Sequence, residues 1–417
     1  MLVSLLRNVI RVGRLTVRMP SGETLEVGNA GEDTTPHVQV RLRGRLTPLK
    51  LAVNPDLYLG EAYMNGELEL ERGTLWDLMD LVGRNLNNRL SWEAGWLGPL
   101  LRGVRGALAR VITPLAARRN VAHHYDLSED LYREFLDEDL QYSCAYFSHP
   151  GLTLDDAQAA KKRHIIAKLN LRPGDRVLDI GCGWGGLALS IAKAEDVTVT
   201  GITLSTEQLK VCQTRARDAG LEHRLRFELC DYRELTGQYE RIVSVGMFEH
   251  VGAASYDAFF RTLAGRLTDD GVALLHSIGQ RGRPPGASNA WITKYIFPGG
   301  YTPAVSEVTG AAERVGLWLT DVEILRLHYA QTLRRWRQRF LTRSSQICAL
   351  YDQRFVRMWE FYLAACEMSF RYGDLMVVQA QFAKHVDTLP LTRDYMLDYE
   401  RELESRADAR PRLVSVH

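Results

Sequence analysis

The most constraining feature of this 417-residue chain is an apolar stretch, residues 177–187, that breaks into closely spaced glycines. It reads Val-Leu-Asp-Ile-Gly-Cys-Gly-Trp-Gly-Gly-Leu and leads into a further apolar run. The pattern predicts a buried strand, a tight turn and the start of a helix. Because only glycine lets the backbone approach a ligand this closely, the stretch predicts a cradle for a nucleotide-like cofactor.

The spacing of these glycines separates two kinds of cofactor. A dinucleotide site has the pattern Gly-x-Gly-x-x-Gly, whereas here glycines occupy positions 181, 183, 185 and 186, and Asp179 lies inside the strand. The next predicted strand ends near Thr203 without the acid that holds the ribose in dinucleotide sites. The pattern resembles the first motif of S-adenosylmethionine (SAM) methyltransferases, in which the strand acid helps to hold the amino-acid end of the cofactor.

Helices and strands alternate along the middle of the chain, which predicts an α/β fold with a doubly wound parallel sheet. The predicted helices are 157–169, 187–193, 206–219 and 256–267, and the predicted strands are 176–180, 197–202, 225–229, 241–245 and 272–276. From residue 333 onward the chain is rich in arginine and aromatic residues and is predicted to be mostly helical. With the glycine motif, this indicates the Rossmann-like fold of SAM-dependent methyltransferases.

The chain is longer than one domain usually is, so we expect a second domain. The N-terminal residues predict that this smaller domain is of the α+β class. The predicted elements are an amphipathic helix within 1–11, strands at 15–19, 24–27 and 38–42, and a helix over 75–90. We therefore expect four parts: a lipid- and membrane-associated N-terminal domain (1–95), a basic apolar linker (96–120), a SAM-dependent catalytic domain (121–405) and a tail (406–417).

The predicted linker contains five arginines and no acidic residue. It can be a plain interdomain connection with short helices, or a segment that rests on anionic lipid, where each arginine contributes about 1 kcal/mol. The two interpretations are compatible. The amphipathic helix within 1–11 is expected to dock on its own domain in preference to a membrane.

Composition limits the compartment and the partners. The formal net charge is only +1, and a nucleic-acid-binding domain would be basic, so we expect no nucleic acid as a partner. No run of about 18 apolar residues is present to span a bilayer. The six cysteines have no metal-binding spacing and no cleaved signal sequence is recognisable, which favours reduced thiols in the cytoplasm and no metal.

Ionisable side chains follow two of the predicted strands. Glu249 and His250 come after the strand at 241–245, and His276 ends the strand at 272–276. Because the carboxyl ends of parallel strands open onto one ligand crevice, we expect these groups to converge. One histidine at a strand end is usually structural, but two histidines and a glutamate at one edge favour a catalytic site.

Several motifs together resemble the cyclopropane-fatty-acyl-phospholipid synthase family. They are the glycine motif and residues 141–147, 241–252, 276–279, 294–300 and 328–333, and the resemblance runs through nearly all of residues 120–390. Residues 59–66 (Leu-Gly-Glu-Ala-Tyr-Met-Asn-Gly) resemble the N-terminal domain of the bacterial phospholipid-acting branch, which the mycolic-acid cyclopropane synthases lack.

The resemblance implies a reaction and the residues that carry it. In that family a cis double bond of a lipid acyl chain attacks the methyl group of SAM, and a bound bicarbonate removes a proton so that the ring closes. The implied bicarbonate site is formed by Cys144, Glu249, His276, the backbone around Ile278, and Tyr329. A carboxylate beside an anion is unfavourable, so we expect the pKa of Glu249 to be raised.

The implied SAM contacts are Tyr142, Ser143, Asp179, Gly181, Gly183, Trp184, Gly185, Thr203, Leu204, Gln208, Asp231, Tyr232 and Arg233. Cys366 also matches a recurring family position. A catalytic role for its thiol is the weaker interpretation, because the reaction needs no covalent enzyme intermediate and a cysteine on an apolar helix is usually simply buried.

The expected enzyme therefore uses SAM and bicarbonate, acts on unsaturated phospholipid chains, and associates peripherally with the inner face of the membrane from the cytoplasm. Family members are often dimers, so a homodimer is compatible with the resemblance. Two alternatives stay open: a related fatty-acyl C-methyltransferase that makes a methylene- or methyl-branched chain, and a non-catalytic protein that binds lipid or SAM. A nucleic-acid or small-molecule methyltransferase is disfavoured by the neutral charge and by the absence of an Asn/Asp-Pro-Pro-Tyr motif.

Overall fold

The computed structural model describes residues 1–29, 36–86, 128–282 and 289–408. The predicted linker at 96–120 lies outside these residues, as does most of the predicted tail at 406–417. Within the described ranges, no helix is long and apolar enough to cross a membrane.

The N-terminal part contains a four-stranded sheet with helices packed on it. Its strands are β1 (Gly13–Arg18), β2 (Thr24–Asn29), β3 (His37–Leu42) and β4 (Leu68–Arg72), and its helices are α1 (Leu2–Val9), α2 (Thr47–Val53), α3 (Pro55–Met64) and α4 (Leu75–Arg84). The strand order is β2-β1-β3-β4, with β1 parallel to β3 and the other neighbours antiparallel. The predicted α+β domain is confirmed, and the predicted helix over 75–90 is confirmed as far as Arg84.

The second part, which the sequence predicts to be catalytic and which we call the catalytic part, is built on a seven-stranded sheet in the order β10-β11-β9-β8-β5-β6-β7. The strands are β5 (Arg176–Ile180), β6 (Thr198–Thr203), β7 (Leu225–Leu229), β8 (Tyr239–Val245), β9 (Leu267–Gln280), β10 (Trp318–Leu325) and β11 (Leu375–Ala383). Strands β5 to β9 are parallel to one another, whereas β11 is antiparallel to both β9 and β10. The predicted doubly wound α/β sheet is confirmed.

Helices cover both faces of this sheet. They are α5 (Glu129–Phe135), α6 (Leu154–Leu169), α7 (Gly186–Ala194), α8 (Thr206–Asp218), α9 (Tyr256–Arg266), α10 (Ala290–Tyr295), α11 (Val305–Arg314), α12 (His328–Thr342), α13 (Ser344–Leu350), α14 (Gln353–Tyr372) and α15 (Asp394–Asp408). Successive strand residues belong to different cores: Val177 packs with α6 and α7, and Leu178 packs with α9. This division is the expected result of the two-residue strand period.

The described chain from residue 333 onward is mostly helical, as predicted, but the prediction missed strand β11. Residues 375–383 form a strand in which seven consecutive side chains are buried. A strand covered on both faces has no alternation of apolar and polar residues, so periodicity alone does not separate it from a buried helix. The preceding strand β10 was not predicted either. The predicted strand at 272–276 is also longer, and it begins where α9 ends.

One apolar core joins the N-terminal and catalytic parts. Helix α14 packs against α3 and α4, and a Cβ on Gly60 would lie 2.6 Å from the ring of Trp291 and 2.7 Å from the ring of Phe361. Polar contacts support the same interface: the Tyr63 hydroxyl donates to Glu360 at 2.7 Å, and Lys294 pairs with Glu61 at 2.7 Å. The N-terminal part therefore fixes the position of α14.

Candidate active site

The glycine-rich turn forms the cradle that the sequence predicts. It follows β5, and Gly181, Gly183 and Gly185 all have positive φ angles, a region that side chains disfavour. The amide groups of Gly181 and Cys182 donate to the carbonyl of Ile202 at 3.0 and 2.9 Å, which ties the turn to β6. A Cβ on Gly181 would lie only 2.9 Å from Met247. The glycines therefore let the turn curve back over the carboxyl ends of the strands.

A cavity of about 160 Å³ lies against this cradle. Twelve of the thirteen residues predicted to contact SAM line it: Tyr142, Ser143, Asp179, Gly181, Gly183, Trp184, Thr203, Leu204, Gln208, Asp231, Tyr232 and Arg233. Gly185 is the exception. A Cβ there would meet Cys212 at 3.0 Å and Phe227 at 3.2 Å, so Gly185 faces the sheet and α8 and permits close packing. We call this space the cradle cavity.

Asp179 supplies an acidic group to the cradle cavity. Its side chain is buried, and its Oδ2 has no hydrogen-bond partner among the described residues. Burial raises the pKa of Asp179 to about 7, although the nearby Lys161 opposes the shift. An unpartnered buried carboxyl group is costly to keep, so its presence indicates a ligand with a positive group or a hydrogen-bond donor.

Lys161 is a site residue that the sequence did not reveal. It is fully buried on α6, and its ammonium group donates to Gln141 at 2.6 Å and to the Ser143 hydroxyl at 2.8 Å. Burial lowers the pKa of Lys161 to about 8. Lys161, His164 and Lys168 are spaced three and four residues apart on α6 and all are buried, but in the sequence this pattern does not differ from a charged, exposed helix face.

A second cavity of about 110 Å³ adjoins the first, and Tyr142, Ser143, Gly246 and His250 line both. We call it the cage cavity. All five residues of the predicted bicarbonate site line it, although they come from distant parts of the chain: Cys144, Glu249, His276, Ile278 and Tyr329. Aromatic residues, among them Phe297, Tyr301 and Tyr362, complete the wall. The two cavities meet at residues 142 and 143.

Glu249 follows β8 on a short 3₁₀ turn and points its carboxyl group into the protein. Its Oε1 accepts a hydrogen bond from the Ile278 amide at 2.6 Å, and its buried Oε2 has no partner in the described part of the chain. Burial raises the pKa of Glu249, and the hydrogen bond from Ile278 only partly opposes this. The direction agrees with the sequence-based expectation. A protonated Glu249 would carry its hydrogen on Oε2 as a donor.

Burial also shifts two histidines and a cysteine of the cage cavity toward their neutral forms. Burial lowers the pKa of His276 to about 3 and that of His250 to about 4, so both imidazoles are uncharged near neutral pH. Burial likewise raises the pKa of the Cys144 thiol well above its usual value. The cage cavity therefore offers neutral hydrogen-bonding groups and neither a thiolate nor an imidazolium.

Cys366 does not line either cavity. It lies half-buried on α14, one turn from Tyr362, and packs against the core that joins the two parts of the chain. Burial raises the pKa of its thiol to about 12, which leaves it protonated and unreactive. The placement supports the structural interpretation of Cys366, which was the stronger of the two interpretations from the sequence.

Comparison with known proteins assigns a family. A family model described as mycolic acid cyclopropane synthetase matches residues 114–380, which carry both cavities. The chain belongs to this family. A second family model, described as a domain of unknown function, matches residues 1–92.

Relatives and solved structures agree with this assignment. Cyclopropane-fatty-acyl-phospholipid synthase of Escherichia coli K12 is 39% identical, covering 80% of this chain and 87% of that protein. A probable fatty acid methyltransferase of Pseudomonas putida is 35% identical, covering 92% and 96%. The crystal structure of mycolic acid cyclopropane synthase CmaA1 with SAH and CTAB has a TM-score of 0.61 and 37% identity, covering 64% of this chain and 97% of that one.

Membership in the cyclopropane synthetase family makes the chain a SAM-dependent methyltransferase, and the alternative of a non-catalytic binding protein is set aside. The two-domain arrangement differs among relatives. Cyclopropane mycolic acid synthase 1 of Mycobacterium tuberculosis matches 62% of this chain over 95% of its own length, at 38% identity. That relative therefore matches no part of the remaining 38% of this chain.

The protonation of Asp179 predicts a pH dependence of SAM binding. If its carboxylate holds the positive end of SAM, affinity falls as the pH drops through the pKa of about 7, because protonation removes the negative charge. We expect binding to be about tenfold weaker at pH 6 than at pH 8, measured by calorimetry. Asp179→Asn should bind weakly at both values, whereas the exposed control Asp269→Asn should behave as wild type. A wild-type affinity that is equal at both pH values would contradict this role.

Proposed function

We propose that this enzyme transfers the methyl carbon of SAM to a cis double bond in an unsaturated phospholipid acyl chain and closes a cyclopropane ring. The observation that carries the proposal is the pair of adjoining cavities. One has a glycine cradle and a buried acid, and the other has neutral donors and aromatic walls. A reaction between a cofactor and a hydrophobic chain needs these two environments in contact.

The cradle cavity fits SAM. When bound, SAM supplies an electrophilic methyl group. Asp179 would hold the positively charged amino-acid end through its unpartnered oxygen, and Asp231, at the end of β7, would face the adenosine end. Thr203 is fixed by a 2.7 Å hydrogen bond to Gln208, which gives the cavity floor a rigid polar edge. Tyr142 and Ser143 lie at the junction and orient the reacting end toward the cage cavity.

The cage cavity fits a small anion such as bicarbonate, which supplies a weak base when bound. Glu249 would hold its proton on Oε2 and donate it in a hydrogen bond, because burial favours the protonated acid. His276, Tyr329 and the Cys144 thiol would provide further donors from other sides. These groups act by fixing the anion, since preorganised donors stabilise charge best where water is excluded.

The same walls suit positive charge on the acyl chain. Aromatic faces attract a cation, and the cage cavity contains several aromatic side chains, of which Tyr142 and Tyr362 hold each other through a 2.9 Å hydroxyl contact. No ionised thiol lines it in the described part of the chain, because Cys144 is protonated. The protein side chains that line the cage cavity thus exclude water and competing nucleophiles from the reacting carbon.

A second candidate function is transfer of the methyl group to give a methylene- or methyl-branched chain. It is favoured by two relatives, the probable fatty acid methyltransferase of Pseudomonas putida and a tuberculostearic acid methyltransferase of Mycobacterium tuberculosis, the latter 38% identical over 77% of this chain. Both products start from the same methyl transfer, so the position of the base relative to the chain selects between them.

Product analysis separates the two candidates. Purified enzyme, SAM and vesicles of a cis-monounsaturated phospholipid should release S-adenosylhomocysteine, and the extracted lipid should lose its vinyl proton signals and gain the upfield proton signals of a cyclopropane. Vesicles of the saturated lipid serve as the control and should yield no S-adenosylhomocysteine. Methylene or methyl-branch signals without ring signals would replace the proposed reaction with the second candidate.

We also propose that the N-terminal part docks on the membrane surface from the cytoplasmic side, and that a homodimer would present two such surfaces. Leu46, the N-cap residue of α2, forms an apolar stripe with Leu49 and Val53 of that helix, and their exposed fractions are 64%, 54% and 61%. Their spacing of three and four residues puts them on one helix face. Exposed Arg45 and half-buried Lys50 flank the stripe with positive charge, which suits anionic headgroups.

Replacing Leu46, Leu49 and Val53 together by serine should therefore weaken binding to anionic vesicles by roughly tenfold or more, since each side chain loses its apolar burial in the interface. Sedimentation with vesicles measures the effect, and SAM affinity should stay unchanged. Leu391→Ser is a matched control because Leu391 is fully exposed on the catalytic part. Equal vesicle binding by the triple variant and wild type would overturn this docking surface.

A further inference from the structure

His276 is contacted by a series of buried polar groups that begins on the neighbouring strand β11. It lies opposite Gln379 in the β9–β11 register, and its Nδ1 is 3.1 Å from the Nε2 of Gln379. The Oε1 of Gln379 in turn accepts a hydrogen bond from the Lys168 ammonium group at 2.7 Å. All three side chains are at most 2% exposed, so water does not compete for these contacts.

The chemistry of these groups fixes which atom donates and which accepts in each hydrogen bond of the series. An ammonium group can only donate, so the amide atom that faces Lys168 must be the oxygen of Gln379. The nitrogen of the amide then faces His276 and can only donate. A proton on Nδ1 of His276 would oppose that donor, whereas a bare Nδ1 accepts from it. The single proton of a neutral imidazole therefore belongs on Nε2.

Lys168 is kept charged by a second layer of ion pairs. It contacts the carboxylate of Glu323, which also accepts from His164 Nε2 at 2.6 Å, and His164 Nδ1 lies 2.9 Å from Glu400. Burial lowers the pKa of Lys168, and the contacts with Glu323 oppose that effect. Tyr146 stacks on His164 with ring centroids 4.2 Å apart and restricts its movement. These contacts hold Lys168, the first donor of the hydrogen-bond series, in place.

We propose that Lys168 and Gln379 are positioning residues that fix His276 as its Nε2–H tautomer, so that His276 presents an N–H donor to the cage cavity. Only the identity of the ligand that receives this hydrogen bond rests on the proposed function. In this tautomer His276 has no basic nitrogen left for the cavity, since Nδ1 is engaged with Gln379. His276 then fixes an anion and does not remove a proton from the substrate.

Nitrogen NMR of the ligand-free full chain tests the tautomer directly. Of the 11 histidines, His276 is identified by the signal pair that disappears in His276→Gln. Wild type should show the Nε2–H pattern at pH 7. In Gln379→Glu the carboxylate accepts from both neighbours, so the pattern should change to Nδ1–H. Gln381→Glu, in the same strand and also buried, is the matched control and should keep the wild-type pattern.

The proposal would be overturned if wild-type His276 showed an Nδ1–H pattern or an imidazolium. It would also be overturned if folded Gln379→Glu kept the wild-type pattern. If Gln379→Glu does not fold, the wild-type spectrum still tests the proposal, because the Nε2–H and Nδ1–H tautomers give distinct patterns and the proposal predicts the first. In turnover assays Gln379→Glu should lose roughly a hundredfold in kcat, as expected for one misdirected donor, while its SAM affinity stays that of wild type. The correct tautomer in a protein that never modifies lipid would refute the proposed function and leave this inference intact.

Discussion

The site depends on one constraint: ionisable side chains are buried away from water at the carboxyl edge of the sheet. Among the ionisable groups that line the two cavities are Lys161, Asp179, Glu249, His250 and His276. A buried charge without a partner costs several kcal/mol, so each group must be paired or neutral. Lys161 is held by Gln141 and Ser143, and Glu249 is shifted toward its neutral acid. The polar groups are thus arranged before a ligand arrives.

The core that joins the N-terminal and catalytic parts extends this arrangement beyond the sheet. Helix α14 carries Phe361, which packs near Gly60 of the N-terminal part, and the next residue, Tyr362, lines the cage cavity. Tyr362 is tied to Tyr142 at the junction of the two cavities. The position of the N-terminal part therefore affects the wall of the cage cavity through α14.

The sequence predicts the elements whose pattern is local. The glycine motif, the parallel strands and the residues after them could be placed because spacing and composition alone identify them. Strand β11 could not, because burial on both faces removes its alternation. Lys161 and Lys168 resemble ordinary surface lysines of a helix, and their burial is evident only once Gln141 and Gln379 are brought beside them. Gly185 was predicted as a cofactor contact because the motif does not reveal which way each glycine faces.

The central claim is that the cage cavity works with neutral donors, and the protonation of Glu249 tests it most directly. Turnover of unsaturated phospholipid should be compared for wild type, Glu249→Gln and Glu249→Leu at saturating SAM. Glutamine keeps a donor in place of the protonated acid, so its rate should stay far closer to wild type than that of leucine, which should lose roughly a hundredfold or more. Equal, severe losses in both variants would mean that the ionised carboxylate is required, and would contradict the account.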